Sequence, residues 1–439
     1  MTPRDAVAMA VVLACAVAML FLLRLYRKWR DAEAEWVRKL AHIGTGLIAI
    51  CLPWIFSNRI PIFIVCGASI TLLLAMRYVP SIRGQLSGVL DEVGRESWGE
   101  IYFPVSIALL YQLAHGSKLL YAVPLVVLTL ADTVAALTGA EYGKHEYRAT
   151  GARKSIEGSI AFFCTAFFSI NVALVVFSEV GRIETLLISL DIALIVMLLE
   201  AIAWRGLDNI FIPMGVFILL QLYMAMPLGQ LWNRFRVAVA LLILMTAYGR
   251  KTTLQGSALL AAALVLYVSW ALGGWQWLIP PAILLLAYTY FFPGRITTTD
   301  RTHNVYAVLG VASAGLVWLF LFRVWQQPEL LFPYTLAYAV HLALVAWNLL
   351  YPRYYSARLV MVACVLVSWA LMFGPYVLIG GASQRSLMQA GAALVICAIA
   401  FGVFYLFEPR REGIYPATPA RWLRQAGIVL LATLAARVL

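Results

Sequence analysis

The residues best placed to do chemistry are carboxylates set inside apolar sequence. Asp132 lies within the apolar run 118–139 and is followed at helical spacings by Ala135, Ala136, Gly139 and Gly143. Small residues at such spacings let another backbone come close, as helix interfaces in membranes require. A carboxylate in such a helix costs about 2.5–3.5 kcal/mol on insertion scales and is usually retained to face a cavity, a partner or an ion. The plainer reading of Asp132 is an ion pair with a neighbouring Lys or Arg. After it come Lys144, Arg148, Arg153 and Lys154 among the glycines Gly143 and Gly151. Flexible backbone with several cations can enclose a polyphosphate, although the pattern is neither a P-loop nor a dinucleotide fingerprint. Basic loops of this kind also serve simply to fix membrane topology. Lys154-Ser155-x-Glu157-Gly158-Ser159 then adds a carboxylate and two hydroxyls where the next apolar run begins. Helix capping accounts for Ser155. It does not account for Asp132.

Two flanking clusters could complete a site. Glu35, Arg38, Lys39 and His42 form one stripe at the start of the second apolar run. A solvated basic flank explains Arg38 and Lys39, but explains His42 and the shared face less well. Glu200, then Trp204-Arg205-Gly206-Leu207-Asp208-Asn209 and Pro213, places two carboxylates and an amide at the ends of two further runs. Hard oxygen ligands of this kind suit Mg²⁺, which binds through one or two carboxylates plus substrate phosphates. Ordinary loop polarity is the alternative. The acidic stretch Asp91–Glu100 either positions a substrate or is a solvated loop.

The elements that must hold these groups are transmembrane helices. Hydrophobic residues make up 63% of the 439 and charged residues 12%, with mean hydropathy +0.86. Soluble domains carry about 25% charged residues, so the fold class is an all-α polytopic membrane protein. The net charge of +12 is spread over short loops rather than gathered in a stripe, which argues against nucleic acid as a partner. Six cysteines, all in apolar runs and never as CxxC, support neither a disulfide framework nor a zinc site.

Residues 6–25 are too long an apolar stretch for a signal peptide and are followed at once by Arg24, Arg27, Lys28 and Arg30. With them, about 14–16 spans are expected, counting the last run as possibly interfacial. Lys and Arg concentrate on alternate loops, with a local exception at Arg234 and Arg236, which places the N-terminus outside. Segments 24–40, 77–100, 140–155 and 204–209 then face the cytoplasm, where nucleotides are. Arginine-rich, alanine-rich usage points to a bacterial gene, hence to a bacterial cytoplasmic membrane.

In order and spacing these motifs resemble the CTP-dependent lipid alcohol kinases: dolichol kinase, phytol kinase and the CTP-using diacylglycerol kinase. The resemblance runs from Arg38-Lys39-x-x-His42, through Asp132, Gly139, Gly143-Lys144 and Lys154-Ser155-x-Glu157-Gly158-Ser159, to Asp208-Asn209-x-x-x-Pro213. It covers about half of the chain. It implies phosphoryl transfer from CTP, with Mg²⁺, to the hydroxyl of a long-chain isoprenoid or related membrane lipid. On that reading Asp132, Glu157, Glu200, Asp208 and Asn209 are candidates to hold the metal. Lys144, Arg153, Lys154, Ser155, Gly143, Gly158, Arg38, Lys39 and His42 would bind nucleotide or phosphate. Asp132, Glu157, Lys154 and Asp208 would be catalytic, and one carboxylate could accept the alcohol proton.

Phosphatidate cytidylyltransferases share a related Asp…Gly-Lys…Lys-x-x-Glu-Gly stretch. Their closing Lys-Asp and Pro-Gly-His-Gly-Gly-x-x-Asp-Arg signature does not occur here. A transporter of lipid or lipid phosphate is the competing reading from a different class.

The chain is expected to divide into a kinase-like domain, 1–230, and an additional transmembrane domain, 231–439. In the latter, Thr253–Phe292 and Arg301–Gly310 are similar to a membrane family that acts on phytyl phosphate. Where that family has Gly-Asp-Thr, this chain has Ala339-Val340-His341-Leu342-Ala343, which argues against a second catalytic centre. His341 and Asn348 share a helix face and are expected to make interhelical contacts.

Overall fold

The computed structural model describes residues 2–79, 97–149, 152–249, 252, 254–290, 303–350, 357–408 and 418–436. Most of Asp91–Glu100, together with Gly151, Thr253 and the stretch 291–302, lies outside the described residues, as do the side chains of Arg148 and Arg153. The chain divides into two compact units, Met1–Ala238 and Val239–Leu439.

The described residues of the first unit form α1 (Pro3–Arg30), α2 (Ala34–Ile55), α3 (Arg59–Tyr78), α4 (Gly99–Leu113), α5 (Lys118–Tyr142), α6 (Ile156–Phe177), α7 (Arg182–Ile202) and α8 (Asp208–Tyr223). The boundary falls within α9 (Leu228–Tyr248). The second unit contains α10 (Gly256–Gly273), α11 (Trp275–Tyr290), α12 (Val305–Trp325), α13 (Leu331–Leu350), α14 (Ala357–Ile379), α15 (Gln384–Phe407) and α16 (Pro419–Ala435). Eleven helices among the described residues are long and apolar enough to cross a membrane. The chain is an all-α polytopic membrane protein.

One local expectation fails. Residues 140–155 are not simply a flexible basic loop, because Glu146–Ala149 (β1) and Ala152–Ser155 (β2) pair as an antiparallel hairpin. Tyr147 faces Lys154 in the register, and Glu146 faces Ser155. The hairpin therefore ends one residue before α6 begins, and Ser155 Oγ caps that helix by accepting from Gly158 N at 3.1 Å.

Helix α5 is the structural centre of the first unit. Val123, Val127, Leu128 and Ala131 are buried in it beside Phe162, Ala166, Ile188, Ile192 and Val216 from α6, α7 and α8. Its C-terminal end meets α6 almost backbone to backbone: a Cβ at Gly158 would stand 3.0 Å from the Ala135 carbonyl oxygen and 3.3 Å from Gly139 Cα. The small-residue ladder after Asp132 thus seats the start of α6, which carries the hairpin with it.

In the second unit α13 is the buried centre, wrapped almost completely by its neighbours. Gln425 Nε2 of α16 lies 3.0 Å from His341 Nδ1, and Arg421 donates to Gln425 Oε1 at 3.2 Å. His341 makes an interhelical contact; Asn348 instead donates back to Leu344 O of its own helix.

Candidate functional site

The polar groups converge in the first unit on one cavity of about 620 Å³. Four helices run along it with one face each. On α2 the lining residues Arg38, Lys39, His42, Thr45, Ile48, Ala49 and Leu52 follow helical spacing from a charged end to an apolar end. Helices α1, α3 and α4 add Val12, Leu13, Ala16 and Leu20; Val65, Cys66, Ser69 and Leu73; and Gly99, Glu100, Phe103, Pro104 and Ile107. At the charged end Asp132 arrives from α5, Lys154 from β2, and Ala203 to Asn209, except Leu207, from the α7–α8 turn.

Two ion pairs define that end. Lys39 Nζ donates to Asp132 Oδ2 at 2.6 Å, with the lysine almost wholly buried, and His42 Nε2 stands 3.8 Å from the same oxygen. Lys154 Nζ donates to Glu200 Oε1 at 2.6 Å and also contacts the Glu200 carbonyl oxygen. Burial pushes the Lys154 ammonium down, but the charges of Glu200 and Asp208 outweigh it and hold Lys154 above the ordinary lysine value. Burial, joined by the Glu200 charge, raises the Tyr147 hydroxyl, which lies 2.9 Å from Ser159 Oγ. Asp208 opens α8 on the cavity wall, and its Oδ1 is buried with no hydrogen-bond partner. Glu200 senses the charges of both Asp132 and Asp208, so the three carboxylates act within one electrostatic neighbourhood.

The α7–α8 turn is locked against the start of α4. Trp98 N donates to Arg205 O at 3.0 Å. Arg205 and Gly206 both take left-handed backbone, φ 51° and 85°, and a Cβ on Gly206 would lie 2.2 Å from Gly99 N. Ser106 Oγ donates to Asn209 O at 2.5 Å, adding a third tie. These contacts bring Trp204, Arg205, Asp208 and Asn209 to the same end of the cavity as Lys39 and Asp132.

Not every expected residue arrives there. Glu157 accepts from His145 N at 3.3 Å and from His145 Nδ1 at 2.7 Å, and it does not line the cavity. Lys144, just before the hairpin, is exposed and does not line the cavity. Gly143, Ser155 and Gly158 lie off the cavity: a Cβ on Gly143 would meet Ser155 Cβ at 2.9 Å, which keeps this corner tight. Arg153's side chain lies outside the described residues. Arg38 lines the cavity and is bridged to Glu35 at 2.6 Å. Sequence reasoning missed Phe103 and the apolar wall of α1 and α3, while Ser97, Gly99 and Glu100, which line the cavity, belong to the stretch Asp91–Glu100 that was marked only for its acids. Apolar and small residues on a membrane helix carry no mark that separates a cavity wall from a lipid-facing side.

No set of three His, Cys, Asp or Glu side chains among the described residues is arranged to hold a metal by protein ligands alone. A cation bound by one or two carboxylates plus phosphates needs no such set. The orphaned Asp208 oxygen and the Asp132 carboxylate on one cavity fit that mode.

Charged groups over an apolar shaft in a helical membrane bundle define an integral membrane protein with a cavity of amphipathic lining. Comparison with characterised proteins narrows the class. The chain is 30% identical over 186 residues to the phytol kinase of Synechocystis sp., an alignment covering 42% of this chain and 77% of that protein. By that likeness the chain belongs, through its N-terminal half, to the lipid alcohol kinase family. No family model matches the chain, and no solved structure matches it.

Proposed function

We propose that the first unit transfers the γ-phosphate of CTP to the hydroxyl of a long-chain isoprenoid alcohol of the phytol, prenol or dolichol kind. The observation that carries this reading is the single cavity whose charged end, with Lys39, Asp132, Lys154 and Asp208, continues into an apolar shaft between α1, α2, α3 and α4. A triphosphate suits the first part and a prenyl chain the second, so the reacting hydroxyl falls where the two meet, at the level of His42 and Asp132. The positive-inside bias supports a charged end that faces the cytoplasm of a bacterial membrane.

Phosphoryl transfer depends on positioning and on neutralising charge more than on covalent chemistry. Lys39 and Lys154 are held on Asp132 and Glu200, pre-oriented and charged, so incoming phosphate oxygens meet cations whose rotamers are already fixed. One carboxylate at this end of the cavity would accept the alcohol proton. Asp132 and Asp208, with Glu200 and Asn209 behind them, would hold Mg²⁺, which when bound neutralises the phosphate oxygens of the nucleotide. Lys144 and Arg153, on or beside the hairpin, would add positive charge at the entrance, and Glu157 would act through the hairpin that His145 anchors. The second unit, Val239–Leu439, is proposed to bind lipid, to stabilise the kinase unit or to handle its product.

The test is transfer by the purified protein with Mg²⁺ and CTP or ATP labelled on the γ-phosphate or on the base, offered with phytol, geranylgeraniol, polyprenol, dolichol and diacylglycerol. Label moving from the γ-phosphate into lipid, stopped by EDTA and lost in Asp132→Asn, is the expected result. Label from the base entering lipid would convert the reading to a cytidylyltransferase. Absence of transfer with every alcohol would remove it.

A further inference from the structure

We infer that the cavity measures the chain of the alcohol and accepts three to four isoprene units, about C15 to C20, while longer polyprenols are excluded. The inference rests on the kinase reading of the same cavity and narrows its alcohols to the phytol and short prenol kinds, leaving dolichol out.

The shaft is blind. Its floor is formed by Val12, Leu52, Val65, Cys66 and Ile107, each less than a tenth exposed. Beneath them lies a packed plug rather than a channel: Phe56, Ile62, Leu110 and Tyr121 are essentially inaccessible. The plug is fastened by hydrogen bonds. Tyr121 Oη donates to Ala49 O at 2.9 Å, Tyr111 Oη donates to Phe56 O at 3.1 Å, and the two tyrosine rings meet edge-on at 5.7 Å. One bond ends on a carbonyl of α2 within the lining stripe and the other on Phe56, the residue that closes α2. The floor is thus pinned to the helix that carries Lys39 and His42 at the other end.

The depth follows from helix geometry. From His42 to Leu52, and from Lys39 to Leu52, α2 rises about 15 and 20 Å at 1.5 Å per residue. An extended chain advances roughly 1.2 Å per backbone bond, judged from about 3.5 Å per three-bond residue, so an isoprene unit of four bonds spans about 5 Å. Three to four units then reach from a hydroxyl at Asp132 to the floor. One helical turn, about 5.4 Å, corresponds to nearly one isoprene unit. Ser69 lies one turn of α3 above Val65 and Cys66 on the cavity wall, so a bulky side chain there raises the floor by one unit.

The experiment uses the full-length protein in lipid nanodiscs with Mg²⁺ and labelled CTP, and prenyl alcohols of C10, C15, C20, C25 and C55. The kcat/KM is expected to rise to C15–C20 and to fall at least tenfold by C25, with C55 lower again. Ser69→Phe should lower the C20-to-C10 ratio at least tenfold, and Leu52→Ala should raise the C25-to-C20 ratio. Because each readout is a ratio within one preparation, a partly folded variant still reports. Equal use of C20 and C55 by the unaltered protein, or an unchanged C20-to-C10 ratio in Ser69→Phe, overturns the length limit. If no alcohol is labelled, the kinase reading fails. Native mass spectrometry of retained C20 against C55 alcohol, which requires no transfer, then decides the length limit on its own.

Discussion

Replacing Lys39 by methionine removes the ammonium that holds Asp132 and leaves a carboxylate in the membrane bundle without its main counter-charge. The two groups stand 2.6 Å apart, with side chains 5% and 16% exposed. At an effective dielectric near 20 their attraction is about 6 kcal/mol, much of it offset by the desolvation of both ions. Breaking such a pair by removing one partner costs about 3–5 kcal/mol, a large part of a total stability of about 5–15 kcal/mol. Asp132→Asn alone should cost a similar amount, because it strands the lysine. The double variant carries no buried charge at this point and should cost only about 1–3 kcal/mol, the penalty of an imperfectly bonded amide. The cycle therefore predicts a coupling of at least about 3 kcal/mol. Unfolding titrations in mixed micelles for the four proteins would measure it. Single-variant costs that add to within about 0.5 kcal/mol would refute the pair and, with it, the orientation of Asp132. The transfer assay separates the roles: Asp132→Asn and the double variant should both lose on the order of 10²–10⁴ in rate, even where stability recovers.

Other consequences can be checked more directly. Gly206→Ala forces a side chain into left-handed backbone against Gly99 N; backbone strain alone is worth about 1–3 kcal/mol, and a melting temperature equal to the parent's would contradict the α4 contact. Ser155→Ala removes the cap of α6 and should lower stability by about 1 kcal/mol, seen as a lower melting temperature. In the second unit, burial, helped by Arg421, depresses His303 from 6.5 to about 4. Its unfolded form takes up a proton first, so this stability is fully present above pH 6.5 and is lost as pH falls through about 4, by up to about 3 kcal/mol. Melting temperatures from pH 7 to pH 4 should show the slope, and His303→Asn should flatten it.

Much of this was legible in the residues, and the limits have physical causes. Asp132 could be singled out because its membrane cost demands a reason, and Lys39 because it shares a helix stripe with Arg38 and His42. That these two residues, far apart in sequence, would pair was not legible, since several cations could have answered one carboxylate. The hairpin escaped because six of its eight paired residues are polar and the other two are alanines, a composition that marks a loop as readily as two short strands. Glu157 shows the opposite failure: its place in a motif marked it for the site, while the fold turns its carboxylate to His145. The shaft left no trace at all. Ala16, Cys66 and Ser69 look like any lipid-facing residues until four helices are set around them.

The contact between Gly206 and Gly99 bears on how such a chain can drift. At residue 206 both the backbone angle and the neighbouring amide exclude every L side chain, whatever alcohol or nucleotide the cavity takes. Variation among descendants should therefore follow the alcohol along the shaft, while residue 206 on the charged rim stays fixed on backbone grounds alone. A ranking of residues by invariance would place this glycine beside Asp132, one for what its side chain does and the other because its backbone and the start of α4 leave no room for a side chain.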